Sequence, residues 1–239
     1  RKQQAPEGLS FCVQQLGEVI FFGDGRVHAT CNIGEFVLAI GAQGHVSADW
    51  SSLQKAFHRG EAALARELLD SWYPRLSQAE KQLWLQRTIE RGYTSIVELL
   101  MQYGAKVAEP VNEDGRQPLH VAAESGHAAL IKDLLQRGAS LHARDAHGKT
   151  PLHAAAFAGE KDAAKALASQ GASLRKLDER GLAPFGSAAD GGHVELVTFL
   201  LEGKRGAPKQ SRGFAQAAYH AACRGHVEVM RILGEHGAK

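Results

Sequence analysis

Histidine and cysteine are the residue types in this chain that could bind a metal or act as nucleophiles. The 239-residue sequence has 12 histidines and three cysteines, Cys12, Cys31 and Cys223. His28 and Cys31 stand at an H-x-x-C spacing that could place two zinc ligands on one hairpin. Cys12 and His45 stand at unpaired distances, unlike the ligand doublets of common zinc modules. We therefore favour small buried or hairpin-facing cysteines and predict no metal site.

The same residues give little support to a catalytic centre. A Cys–His nucleophile needs a third group that orients the base and donors that stabilise an oxyanion, and neither is identifiable in the sequence. The glycine-rich "GDGR" (23–26) lacks the lysine and the serine or threonine of a phosphate-binding loop, so a turn is the better interpretation. We predict no catalytic residue, no cofactor and no enzyme activity in this chain, leaving an upstream domain open.

Five of the other histidines belong to a motif that repeats with a fixed spacing of glycines. The stretch "GRQPLHVAAESGH" (115–127) is followed by "GKTPLHAAAFAGE" (148–160), and related stretches recur along the chain. The turn glycines, separated by 32, 34, 33, 33 and 33 residues, are Gly60, Gly92, Gly126, Gly159, Gly192 and Gly225. A period of this length is typical of a stacked array of similar units.

Each unit is predicted to contain two helices. Apolar residues four and eight positions after the turn glycine, such as Leu130 and Leu134 after Gly126, form one stripe of a second helix. Before the glycine, "TPLHAAA" predicts a first helix with Thr150 as N-cap and Pro151 at the first helical position. A left-handed C-cap is expected where a Gly-Ala pair follows the second helix, at Gly104, Gly138, Gly171 and Gly237.

With these motifs the sequence resembles the ankyrin-repeat family. The stretches "NEDGRQPLHVAAESGH" and "DAHGKTPLHAAAFAGE" carry the family's G-x-T-P-L-H-x-A-A-x-x-G-H pattern almost complete, and the resemblance covers about residues 46–239. It implies an all-α repeat solenoid of ankyrin-type helix-turn-helix units with β-hairpin tips. It also implies that His120 and His153 are structural, forming hydrogen bonds to backbone between neighbouring units, and that the array binds another protein.

We predict six units after a small β-prone N-terminal appendage. Residues 1–45 do not follow the period, and β-prone runs on both sides of "GDG" (23–25) predict a hairpin or the remnant of an upstream domain. Unit one lacks T-P-L-H, as expected of a capping unit. The predicted units are 46–78, 79–111, 112–144, 145–177, 178–210 and 211–239.

The last two units depart from the repeat pattern. Lys204 stands where unit five should have its closing glycine, and Gly206-Ala207 follows two residues late, so this connection should be remodelled. Unit six has lost T-P-L-H but keeps apolar residues such as Val229 and Met230. We expect further repeats after residue 239, a partner that covers this unit, or an end of the solenoid with some exposed apolar surface.

Composition narrows the classes of partner and compartment. Twenty-eight basic and 26 acidic residues leave a formal charge of +2, so no bulk field favours nucleic acid or an anionic membrane. The apolar runs are too short to span a bilayer, and an odd number of cysteines fits a reducing compartment. We predict an intracellular, cytoplasmic protein, with the nucleus and a host-cell cytoplasm left open. The basic run 203–212 could dock an acidic partner or form a solvated loop.

The predicted binding surface combines the hairpin tips with the exposed side of the first helices, which line the concave face of a solenoid. Phe157 is the large apolar residue in that row, and an aromatic anchor among charges is typical of a binding hot spot. Packing against the adjacent unit is the alternative role for Phe157. The candidate partner-binding residues are Arg116, Glu124, Arg144, Asp145, His147, Lys149, Phe157, Glu179, Arg180, Asp190 and Arg224.

These observations predict a protein–protein interaction module or adaptor. One alternative is that the repeats target a larger enzyme or a secreted bacterial effector whose catalytic portion lies in or before residues 1–45. Another is a purely structural segment of a longer array. Nucleic-acid binding would need a basic stripe, whereas the tip charges alternate in sign.

Overall fold

The computed structural model describes four short strands and most of the chain from residue 55 onward. The described ranges are 2–4, 10–12, 19–22, 27–30, 55–56, 59–73, 76–202 and 212–237. The chain divides into an N-terminal body, Arg1–Pro74, and a C-terminal body, Arg75–Lys239. Within the described ranges, no helix is both long and apolar enough to cross a membrane.

The N-terminal body contains an antiparallel sheet and one described helix, α1 (Ala62–Trp72). Its strands follow the chain order β1-β2-β3-β4, and in the β3–β4 pair Phe22 lies opposite Val27. The turn predicted at 23–25 and the domain boundary predicted after residue 45 both fall outside the described residues. The strands are β1 (Lys2–Gln4), β2 (Ser10–Cys12), β3 (Val19–Phe22) and β4 (Val27–Thr30).

The C-terminal body is built from helix pairs, each with a first, inner helix and a second, outer helix. The inner helices are α2 (Gln78–Glu90), α4 (Pro118–Glu124), α6 (Pro151–Ala158), α8 (Pro184–Gly191) and α10 (Arg212–Cys223). The outer helices are α3 (Thr94–Gln102), α5 (Ala128–Gln136), α7 (Lys161–Ser169), α9 (Val194–Glu202) and α11 (Val227–Glu235).

In the inner layer, each helix packs on the next inner helix along the chain, from α2 through to α10. In the outer layer, α5 packs on α7 and α9 packs on α11. Buried alanines of the inner helices, such as Ala122 and Ala155, allow the close approach. The leucines eight residues after the turn glycines, such as Leu134 and Leu167, are buried between the two layers. An all-α repeat solenoid is thus confirmed, and the described tips are turns without strand structure.

The sequence motifs set the ends of the helices. Thr150 caps α6 and Pro151 is its first residue, as predicted. The turn glycines and the closing glycines both adopt positive φ, for example +82° at Gly159 and +91° at Gly138. Such left-handed conformations are strained in residues that carry a Cβ, which explains why glycine is needed at both positions.

A buried histidine links each of two inner helices to the following unit. His153 Nδ1 accepts hydrogen bonds from the backbone N–H and the hydroxyl of Thr150, at 3.1 and 2.8 Å, so Nε2 must carry the proton. That Nε2 donates to the carbonyl of Leu182 at 3.1 Å, and His120 Nε2 similarly donates to the Lys149 carbonyl at 3.0 Å. Both rings therefore have the structural role that the family resemblance implies.

The fifth unit lacks this link, because Gly186 occupies the histidine position in α8. A Cβ added at Gly186 would lie 3.0 Å from the Leu182 Cδ2 and 3.4 Å from the Ala217 Cβ, so α10 packs close to this glycine. The sixth unit is joined to the fifth by the ring of His226, whose Nε2 donates to the Asp190 carbonyl at 3.2 Å.

The histidines that follow the turn glycines form a second set of links. His193 Nε2 donates to the Phe157 carbonyl at 2.9 Å, and His127 Nε2 donates to the Glu90 carbonyl at 3.1 Å. The ring of His193 lies where a Cβ on Gly159 would stand, at 2.5 Å. Glycine is therefore required at this turn by packing as well as by backbone conformation.

We expect Gly159→Ala to destabilise the array more than Gly138→Ala. A Cβ added at Gly138 would meet no heavy atom within 4 Å, so its substitution costs about 1–2 kcal/mol of left-handed strain alone. Gly159→Ala adds displacement of the His193 ring. Urea unfolding of both variants measures the difference, and equal losses would contradict the close packing of His193 on the glycine.

Stability should fall as the pH is lowered, because His153 is buried as the neutral imidazole. Burial lowers the pKa of His153 to about 4, whereas an exposed histidine titrates near 6.5. The unfolded chain therefore takes up the proton first, so the contribution is intact above about pH 6.5 and is lost towards pH 4. The linked loss between pH 7 and pH 5 is about 2 kcal/mol.

Urea titration at several pH values between 7 and 5 checks the assignment. It gives the unfolding free energies of the native chain, of His153→Gln and of the exposed-tip control His147→Gln. The pH slope should shrink in His153→Gln and persist in His147→Gln. A slope unaffected by His153→Gln would show that other groups cause the pH dependence.

Candidate protein-binding surface

A side-chain oxygen of an aspartate or asparagine closes the tips of units three to five, and in unit three Asn112 Oδ1 accepts from the Arg116 N–H at 3.1 Å. Asp145 Oδ1 accepts hydrogen bonds from the backbone N–H groups of His147 and Lys149, at 2.9 and 2.8 Å. Asp178 Oδ1 accepts from the Leu182 N–H at 2.8 Å. Side-chain oxygens that bind the following backbone are typical of aspartate in tight turns. These contacts fix the conformation of the loops that carry the candidate residues.

Backbone hydrogen bonds join successive tips into a row. The Ala146 N–H donates to the Asp114 carbonyl at 2.7 Å, and the Glu179 N–H donates to the His147 carbonyl at 3.1 Å. The two bonds connect the third tip to the fourth and the fourth to the fifth. The spacing of tip side chains along the row is therefore set by backbone contacts.

In three consecutive units, a cation from the tip contacts the residue at one equivalent position near the end of the inner helix. The contacts are the ion pair of Arg116 with Glu124, Lys149 Nζ at 5.3 Å from the Phe157 ring centre, and Arg180 Nη1 at 3.0 Å from Asp190 Oδ2. We call the surface formed by these six residues and Arg224 the tip surface. It contains residues from the tips and from the ends of the inner helices, and binding of a partner there stays a prediction.

Asp190 is the member of the tip surface whose side chain is fully buried. Besides Arg180, it has Arg224 Nε at 2.7 Å and His220 Nδ1 at 3.6 Å from Oδ1. A carboxylate out of water needs such partners, because an unpaired buried charge is very costly. The sequence predicts that Asp190 contacts a partner directly; its burial instead makes it the residue that positions two arginines.

Phe157 is partly exposed and lies between two cations. Lys149 Nζ is 5.3 Å and Arg224 Cζ 5.7 Å from its ring centre, both within the range of cation–π attraction. Lys149 belongs to the same unit, whereas Arg224 belongs to the unit two further along the chain. The ring therefore packs against another unit and still contributes exposed apolar area, so its role as a hot spot stays a prediction.

The other tip candidates lie at the surface. Arg144, His147 and Glu179 are exposed, and Asp145 is half-buried by its role in closing the turn. His220 is a member of the Asp190 cluster that sequence reasoning misses, since unit six has lost the T-P-L-H motif that marks the frame. Its i, i+4 spacing to Arg224, which directly follows α10, is the signal that could have identified it.

In unit six, Val229, Ile232 and Leu233 are buried, whereas a few other apolar residues are exposed. Met230 is 37% exposed, whereas Val197 and Ala164, one and two periods earlier, are fully buried by the unit that follows each of them. Tyr219 and Val227 are 64% and 77% exposed. Whether further repeats or a partner cover this face stays a prediction.

Two groups of candidate residues from the sequence fall outside the described side chains. They are the N-terminal set of Cys12, His28, Cys31 and His45, and the basic run of Lys204, Arg205, Lys209 and Arg212. The altered connection at 203–211 is likewise not described. Among the residues that are described, no group of three or more histidine, cysteine or acidic side chains could hold a metal ion.

Comparison with known families identifies one match. A model described as "Ankyrin repeats (3 copies)" matches residues 53–145, 85–178 and 130–212, which together span 53–212, about two thirds of the 239 residues. No curated protein matches the chain.

Asp190→Asn should destabilise the array by about 2 kcal/mol, because hydrogen bonds to charged groups contribute about 1.5–3 kcal/mol and both arginines lose their buried counter-charge. Glu195→Gln is the matched control. It removes a carboxylate from the exposed pair with Lys161, at 2.7 Å, and exposed pairs add little to stability. Urea unfolding compares the two, and an equal effect would contradict a supporting role for Asp190.

Proposed function

The chain belongs to the ankyrin-repeat family, and we propose that it acts as an adaptor that binds another protein through the tip surface. Ankyrin repeats are in general protein–protein interaction modules. The observation that carries the proposal is the repeated contact between a tip cation and the end of an inner helix in units three to five.

This surface supports binding because its polar groups are held in place before a partner arrives. Arg180 and Arg224 share the buried Asp190, and Lys149 lies near the Phe157 ring. Side chains that are already ordered lose little conformational entropy on binding. An aromatic ring with arginine neighbours also has the composition of interface hot spots, in which a few residues supply most of the energy.

The outer helices support the proposal less well. Their described contacts between units include the exposed pair of Lys161 with Glu195, and Glu195 is 80% exposed. Pairs of this kind are well solvated and contribute little energy. The tip surface is therefore the better candidate for a specific partner.

We further propose a cytoplasmic location for this adaptor. Cys223 is exposed and is not in a disulfide, and an exposed thiol is most readily kept reduced inside the cell. The adaptor role itself needs no catalytic group or cofactor.

Photo-crosslinking should locate the partner on the tip side. A photoreactive amino acid placed at His147 or Glu179, both exposed tip positions, is expected to capture the same protein from a lysate of the source cells. The same group at Lys165 or Glu195, exposed on the outer helices, should not capture it. Mass spectrometry of the crosslinked bands identifies the protein at each position.

Phe157→Ala gives an independent check with the captured protein, because loss of a central aromatic contact should weaken binding at least tenfold, about 1.4 kcal/mol. Lys161→Ala on the outer side should leave the affinity unchanged. Capture from the outer helices alone, or normal affinity in Phe157→Ala, would contradict binding through the tip surface.

A further inference from the structure

We propose that the tip surface binds an acidic segment of its partner, with a carboxylate at Lys149 and Arg224 and a neighbouring apolar side chain on the Phe157 ring. The inference rests on the proposed function, since it gives the chemistry of a partner at that surface. It follows from which charges of the cluster face water and which are buried.

The cluster presents cations to solvent and keeps its carboxylates inside. The side chains of Asp178 and Asp190 are both fully buried, whereas those of Arg180 and Arg224 are 38% and 51% exposed. An approaching partner therefore meets guanidinium groups and not the carboxylates that hold them. Complementary charge is expected on the partner.

Lys149 has an ammonium group without an acidic partner. No carboxylate of the described residues lies within ion-pair distance of its Nζ, and its side-chain neighbour is the Phe157 ring at 5.3 Å. Together with Arg180 and Arg224, it gives three cations against the two buried carboxylates, Asp178 and Asp190. A carboxylate from a partner would supply the ion pair that Lys149 lacks.

The Phe157 ring limits which anion fits best. Lys149 and Arg224 both lie within 6 Å of the ring centre, so an anion that binds either cation also lies near an apolar surface. An acidic residue beside an aliphatic or aromatic one would satisfy both neighbours. A single small anion would use the charge and leave the ring uncovered.

Exposed carboxylates at the same tips favour a peptide over a nucleic acid. Glu113 and Asp114 are exposed on the third tip and Glu179 on the fifth, and they would repel a continuous phosphate backbone that runs along the row of tips. Nucleic-acid binding needs a basic stripe along the surface. A short acidic segment needs the local cluster alone.

The test is a display library of random linear peptides selected on the full chain at physiological salt. We expect the selected peptides to share Asp or Glu beside an apolar residue. Replacing that acid by Asn or Gln should weaken binding about tenfold, as for loss of one charged contact in an interface. A single-stranded RNA oligonucleotide is assayed in parallel.

Two variants and two matched controls assign the site. Lys149→Met and Arg224→Gln should each weaken the selected acidic peptides about tenfold, while Lys161→Met and Arg137→Gln, cations on the outer side of the array, should not. Lys149→Met leaves the Asp190 ion pairs in place, so it tests the site even if Arg224→Gln lowers stability. Circular dichroism checks that each variant is folded.

The inference is overturned if the selection yields no acidic peptides, if both site variants bind them normally, or if RNA binds through Lys149 and Arg224 at this salt. Its failure is distinguishable from failure of the proposed function. Crosslinking from the tips with non-acidic ligands would remove the acidic-partner inference and leave the adaptor role intact. Crosslinking confined to the outer helices would remove both.

Discussion

The hydrogen bond from a buried histidine to the backbone of the next unit is the contact on which the rest of the array depends. His153 is anchored at its own N-cap by Thr150 and reaches the Leu182 carbonyl at the start of the following unit. One ring therefore fixes the start of a helix, the position of the next tip and the stacking of two units. Burial keeps the imidazole neutral by lowering its pKa, as this arrangement requires.

Because the tips are fixed in this way, a chemically varied surface can be built on a uniform scaffold. The position held by Glu124, Phe157 and Asp190 in successive units is the same in the frame of the repeat, yet it provides an acid, an aromatic ring and a buried counter-ion. The tip cation makes a different contact in each unit: Arg116 pairs with the acid, Lys149 lies near the ring, and Arg180 pairs with the buried carboxylate. The chemistry of the surface thus varies through side chains at equivalent positions, while the backbone contacts repeat.

The sequence predicts the local structure of each unit well, but it predicts much less of the arrangement of side chains at the candidate site. Periodic glycines, the Thr150 cap and the leucine stripes act within one unit, so pattern alone predicts them. The role of Asp190 depends on Arg224 and His220, which another unit brings to it through packing. Whether a charged residue faces a partner or supports its neighbours is decided by such contacts, which repeat spacing does not encode.

Asp190 also connects the fifth unit to the sixth where Gly186 leaves no histidine. Its carbonyl accepts from His226 and its carboxylate holds Arg224, so one residue carries polar contacts at both its backbone and its side chain. Undocking of the sixth unit would therefore carry Arg224 away from both Asp190 and the Phe157 ring. Partial unfolding of the last unit would then be coupled to release of the proposed partner, so a bound partner would stabilise this end of the array.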